Sequence, residues 1–129
     1  SEGFGPEVQR RILLGNIVLS AGYQDAFYAK AQRVRRLIRE ATRSLLTQYD
    51  LLLSPTTPTP PFERDAKTDD PVAMYLSDVF TVQANLAGVP AISLPIDNLS
   101  TVSPIGLQVI GDEFTESKLF NFSYQLLKR

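Results

Sequence analysis

The 129-residue chain contains no cysteine and no histidine. Without cysteine there is neither a disulfide framework nor a thiolate metal site. Without histidine there is no Ser-His-Asp triad, no imidazole base and none of the usual zinc or copper ligand sets. Any hydrolytic chemistry here would need Ser, Lys, Tyr or carboxylates. Charge of one sign is also missing: 13 Lys and Arg stand against 14 Asp and Glu, a net −1. That balance gives no general attraction to nucleic acid or to a membrane surface. No apolar run approaches the ~20 residues that span a bilayer, and the first residues show no basic region followed by an apolar one. The chain opens on Ser1-Glu2-Gly3-Phe4-Gly5-Pro6, which reads as an internal start, so a piece of a longer protein is expected.

What is present suits a globular domain: 43% apolar and 21% charged residues. A chain this long buries roughly two-thirds of its unfolded surface, enough for one core. Pro6 follows Gly5 at the place where proline favours the first helical turn. Val8, Ile12, Leu13, Leu14, Ile17, Val18 and Leu19 then make a helix apolar nearly all round, which predicts burial on more than one side. It ends near Ser20-Ala21-Gly22, with Gly22 as the left-handed cap.

A second helix is expected from about Tyr23 to Tyr49, with Phe27, Val34, Leu37, Ile38, Ala41 and Leu45 on one stripe. Lys30, Arg33, Arg36, Arg39 and Arg43 lie opposite. They read as a solvated face, or else as a basic contact surface for RNA or an acidic partner. Asp50 to Ser54 is a short apolar strand closed by Pro55. The Pro55–Pro61 stretch cannot be regular helix or central strand. Its PxxP spacing allows an SH3-type ligand, but a rigid loop after a strand fits its flanks better.

Glu63 to Asp70 reads as an exposed acidic loop, and Asp70-Pro71 as the capped start of a third helix that runs to Gly88-Val89-Pro90. Ala91–Pro95 is a second strand, Asp97–Ser103 a polar turn and Ile105–Gly111 a third strand. Thr115-Glu116-Ser117 starts the last helix. The expected order is α-α-β-α-β-β-α, an α/β fold in one piece with about four helices and no internal repeat. The first two strands flank a crossover helix and should be parallel, and the third should return antiparallel. A mixed sheet of about three strands follows.

Two residues stand out chemically. Asp78 falls in mid-helix among apolar neighbours, where aspartate is a poor helix former and a buried charge is costly. It either needs a cationic partner or lies on a solvent stripe beside Ser77. Arg11 either forms an i,i+4 pair with Glu7 or grips a carboxylate ligand, and periodicity does not separate it from Arg10. An Arg and an Asp converging on one pocket would suit an α-amino acid, guanidinium to carboxylate and carboxylate to ammonium. No serine sits in a Gly-rich turn or nucleophile elbow, no Ser-x-x-Lys occurs, and no Gly-rich phosphate loop is present.

Glu2-Gly3-Phe4-Gly5 with Glu7 through Gly15, Leu19 through Tyr23, Ala31 through Arg35, Asp50 through Pro58, Asn85 through Pro90 and Pro104 through Gly111 together resemble the C-terminal third of the amidase signature family. Within it the chain is most similar to the glutaminase subunits of tRNA amidotransferases. That resemblance implies part of an amidase fold and a glutamine-hydrolysing half-reaction. In it a Ser, activated through a second Ser and a Lys, attacks the amide, and ammonia passes to a partner subunit that amidates mischarged tRNA. The Ser-Ser-Lys segment of the family lies upstream of the part resembled here. The implied chain therefore holds no catalytic nucleophile and is silent alone.

By the same resemblance the glutamine carboxylate falls to Arg11, with Arg10 as second choice, and the glutamine amino group to Asp78. No metal ligand and no cofactor of its own are implied; ATP and magnesium belong to the partner subunit. The implied partners are glutamine, the other subunits of a heterotrimeric complex and, through them, tRNA, in the cytoplasm and away from membranes. Apolar surface left open in such a piece would favour self-association. The alternatives are another amidase of the family with a different amide substrate, and an interaction module built on the basic helix.

Overall fold

A computed structural model describes residues 3–20, 22–63, 71–96 and 105–128. The expected acidic loop before Asp70, the Asp70 cap and the polar turn after Ile96 lie outside the described residues. The chain divides into two compact units, residues 1–37 and 38–129.

In the first unit Pro6 occupies the opening turn of α1 (Pro6–Leu19), where its missing N–H costs nothing. Gly22 adopts a left-handed φ of 92°, as the cap reading requires. Burial differs from expectation: α1 has no buried residue, and Leu13, Leu14, Ile17 and Leu19 are all more than half exposed. The second helix also starts later than its periodicity suggests. A π-helical turn (Gln24–Tyr28) precedes α2 (Ala29–Leu46), and Tyr23 stacks on Phe27 across it with ring centroids 5.9 Å apart.

The second unit is built on a three-stranded sheet: β1 (Leu52–Pro55), β2 (Ala91–Ile96) and β3 (Ile105–Ile110). Strand order is β1-β3-β2, and both neighbouring pairs are antiparallel. The expected mixed sheet with a parallel pair is therefore corrected. Strands β1 and β2 do point the same way, since each opposes β3, but β3 lies between them. The crossover fixes relative direction; it does not make the two strands neighbours. Leu52 and Ala91 both face Ile110, and Ser54 and Ser93 both face Gln108.

Alternation along the strands sends side chains to two different cores. On one face Ile110 and Leu52 pack with Leu46 of α2, with Val89, and with Ala84 and Ala87 of α4 (Val79–Ala87). On the other face Val109 and Leu94 pack with Leu119 of α5 (Glu116–Leu127), backed by Phe122 and Leu126. The helix expected from Asp70 to Gly88 is in fact two, α3 (Pro71–Leu76) and α4, interrupted at Ser77-Asp78. Five α-helices thus replace the expected four among the described residues. Gly88 closes α4 at a left-handed φ of 73°, with its N–H donating to Ala84 O.

The proline stretch is a rigid loop tied to the sheet. Thr56 N donates to Gly106 O at 2.9 Å, and Thr57 Oγ1 donates to Thr59 O at 3.0 Å. Nor is the charged stripe of α2 wholly solvated: Arg39 and Arg43 both grip Glu113, the first at 2.7 Å. The Arg39 hydrogen bond holds the Glu113 carboxyl below its ordinary value of 4.5; partial burial opposes this and Arg43 adds to it. A carboxyl lowered by folding stabilises above its unfolded value, and that contribution fades as pH falls through the folded value. Glu113→Gln is therefore expected to lower the unfolding midpoint at neutral pH. In a denaturant series the gap to the unsubstituted protein should narrow as pH falls past the ordinary glutamate value and close once it has passed the lowered one. A constant gap across that range would show that the two arginines do not act through the ionised carboxylate.

Candidate functional site

Arg11 stands one turn into α1 on an exposed surface. Its Nε donates to Glu7 Oε1 at 3.0 Å, the i,i+4 pair of the plainer reading. Arg10 reaches the other oxygen of the same carboxylate at 3.4 Å. One acid in the first helical turn thus orients both candidates, and an exposed pair of this kind contributes about 0.3–0.5 kcal/mol.

Asp78 is not the mid-helix residue its neighbours suggest. It occupies the N-cap of α4 at φ −99° and ψ 4°, and it is exposed. Exposure removes the expected cost of burial. Its backbone is well held: Asp78 N donates to Tyr75 O, and Asp78 O accepts from Val82 N and from Thr81 Oγ1. Its carboxylate makes no capping bond. The side chain is thus not spent on the helix terminus where it sits. Arg11 lies in the first unit and Asp78 in the second.

The other polar residues of the sheet are engaged with each other rather than activated. Thr56 Oγ1 and Ser93 Oγ lie 2.7 Å apart, passing above Gly106. Gln108, 4% exposed, donates from Nε2 to Ser54 Oγ at 3.1 Å and to Phe80 O at 3.0 Å. An apolar groove of about 630 Å³ runs between α2 and the α3–α4 pair, with Ile38, Leu45, Tyr75 and Val79 on its walls. Its polar linings are Thr42 and Gln83, whose side chains meet at 3.4 Å. Such a lining offers nothing to a charged substrate. Among the described residues no group of three or more Asp or Glu side chains could hold a metal ion, and no helix is long and apolar enough to cross a membrane.

Two features escaped the sequence. Nothing in the spacing links Glu113 to arginines some 70 positions earlier. Gln108 did leave a signal, an amide inside an otherwise apolar strand, the kind of residue that must find partners when buried.

The amidase family model matches residues 1–120. The chain belongs to the amidase family. Its sequence is 54% identical over 124 residues to the A subunit of the glutamyl-tRNA(Gln) amidotransferase of Nitrosococcus oceani, covering 96% of this chain and 26% of that one. It is 56% identical over 126 residues to the protein of the same name from Halothermothrix orenii, with 98% and 26% covered. The crystal structure of the corresponding A subunit from Thermotoga maritima superposes with a TM-score of 0.70 at 47% identity, over 92% of this chain and 26% of that one. The chain spans about a quarter of the length of the curated relatives it matches.

Proposed function

We propose that this chain forms the C-terminal part of a glutamine-hydrolysing amidotransferase subunit, one that supplies ammonia for converting Glu-tRNA(Gln) to Gln-tRNA(Gln). The observation that carries this reading is identity above 50% along almost the whole chain to subunits of that name. In this reading the Ser-Ser-Lys nucleophile lies in the remainder of the subunit. Glutamine and water become glutamate and ammonia there, and ATP with magnesium is used by a partner subunit in the cytoplasm. The present residues supply scaffold and the ends of the substrate site. Arg11 takes the glutamine α-carboxylate, with Arg10 as second choice, and Asp78 takes the α-ammonium group.

The local geometry supports that division. Both arginines start from exposed positions on one helix, oriented by Glu7. A planar guanidinium suits a carboxylate through paired N–H donors. Asp78 presents a carboxylate that its own helix does not use.

The test is glutamine-dependent ammonia release by the full-length subunit with its partner subunits. Arg11→Ala and Asp78→Ala should each raise the KM for glutamine on the order of 10- to 100-fold, the loss of one charge-assisted contact. Hydrolysis of a simple amide lacking both charged groups should change little. An unchanged KM in both variants would remove the amino-acid site and favour an amidase with a different substrate. The chain of 129 residues, assayed alone, should release no ammonia. Turnover by it would place a nucleophile within these residues and sink the division of labour.

A further inference from the structure

We propose that Gln108 is a positioning residue whose buried amide fixes the first turn of α4, and through it the aim of the Asp78 carboxylate at the ammonium group of an amino-acid substrate. This rests on the reading of Asp78 given above and deepens it. Gln108 stands on β3, the middle strand, held on both sides by its neighbours. At 4% exposure its amide has no recourse to water, so its donors fix where their acceptors must lie. One acceptor is Ser54 Oγ on β1, and the other is Phe80 O in α4. Phe80 follows Asp78 by two positions in the turn that Asp78 caps.

Asp78 makes no side-chain capping bond, so its direction is set by the backbone that carries it. That backbone is the break between α3 and α4, where the helical ladder is interrupted. The bonds with Tyr75, Val82 and Thr81 hold Asp78 only to its own two helices, and a helix end beside such a break gains a fixed place on the sheet only from a contact outside them. Gln108 supplies that hold from the middle strand of the sheet, which is paired on both sides. Its role is indirect, because it is buried and acts through Phe80 rather than on the substrate. A misplacement near 1 Å at a binding group costs up to about a hundredfold in rate.

The experiment uses the full-length subunit in its complex and compares glutamine with glutaramate, which keeps the amide and the carboxylate but lacks the ammonium group. The readout is the ratio of kcat/KM for the two. Asp78→Ala should collapse the preference for glutamine. Gln108→Met, close to glutamine in length, should lower it about tenfold, mainly through KM for glutamine, and leave glutaramate turnover nearly unchanged. The double variant should lose no more than Asp78→Ala alone, because both act on one contact. If Gln108→Met does not accumulate as folded protein, Gln108→Asn serves. It keeps the amide but is one methylene too short to reach both acceptors, and the same selective loss is expected.

Equal loss on both substrates, or none on either, would make Gln108 a purely structural residue and overturn the inference while leaving the Asp78 reading intact. An unchanged ratio in Asp78→Ala would overturn both.

Discussion

Ile110→Ala should lower the unfolding free energy by about 3 kcal/mol, within the 2–5 usual for truncating a buried isoleucine. Ile110 is 2% exposed at the end of the middle strand, opposite Leu52 on one side and Ala91 on the other. It is the largest of the fully buried side chains and packs in one core with Leu46, Ala84, Ala87 and Val89. Those neighbours come from two separate parts of the chain, so the site cannot collapse by moving one of them, and the cavity term persists. Ile105 on the same strand is an internal control: it is 39% exposed, and Ile105→Ala should cost less than about 1 kcal/mol. Urea unfolding of the two variants measures the difference. Similar midpoints would mean that the core of this unit is not organised around β3.

Gly106→Val is the second large effect, and its sign runs against propensity. Valine favours strands and glycine weakens them, so the sequence alone suggests a stabilising change. The structure predicts a loss of about 1–3 kcal/mol, typical of overpacking. A Cβ on Gly106 would lie 2.6 Å from Thr56 Oγ1, 2.9 Å from Thr56 Cβ and 3.2 Å from Ser93 Oγ. Those hydroxyls close over the glycine, and Thr56 Cβ cannot rotate away because it is fixed to the backbone. Thr56→Ala removes the nearest atom but not the Cβ, so it should recover only part of the loss, while Thr56→Gly should recover more. A Gly106→Val protein as stable as its parent would show that the loop after β1 is free to lift from the sheet.

The helices and strands were largely legible because their signals are local. Pro6, Gly22 and Gly88 mark helix ends through φ preferences that need no tertiary partner. The strand at Ile105–Ile110 was readable from its composition and its bounding turns. Asp78 also stood out; of its two readings, a buried charge or a solvent-facing one beside Ser77, the structure shows the second, at a helix start instead of mid-helix. Its apolar neighbours left burial and exposure both open, and a helix break at Ser77-Asp78 leaves it exposed. Mid-helix and N-cap positions differ by one interrupted hydrogen-bond ladder, and aspartate is common at the second for the property that makes it rare at the first.

The sequence by itself determined the three strands and most of the helices in their order, the same-way direction of β1 and β2, and membership of the amidase family. Only the tertiary structure decided that β3 lies between those two strands. Strand neighbours are chosen by which faces can be covered together, and here α4 and α5 must lie on opposite sides of the middle strand. Tertiary structure likewise decided that Arg39 and Arg43 share Glu113 and that Gln108 ties the sheet to the start of α4. These contacts join residues far apart in the chain. Chain spacing carries almost no information about them, because loop-closure cost rises only slowly with length and leaves many distant pairings nearly equal until packing selects one.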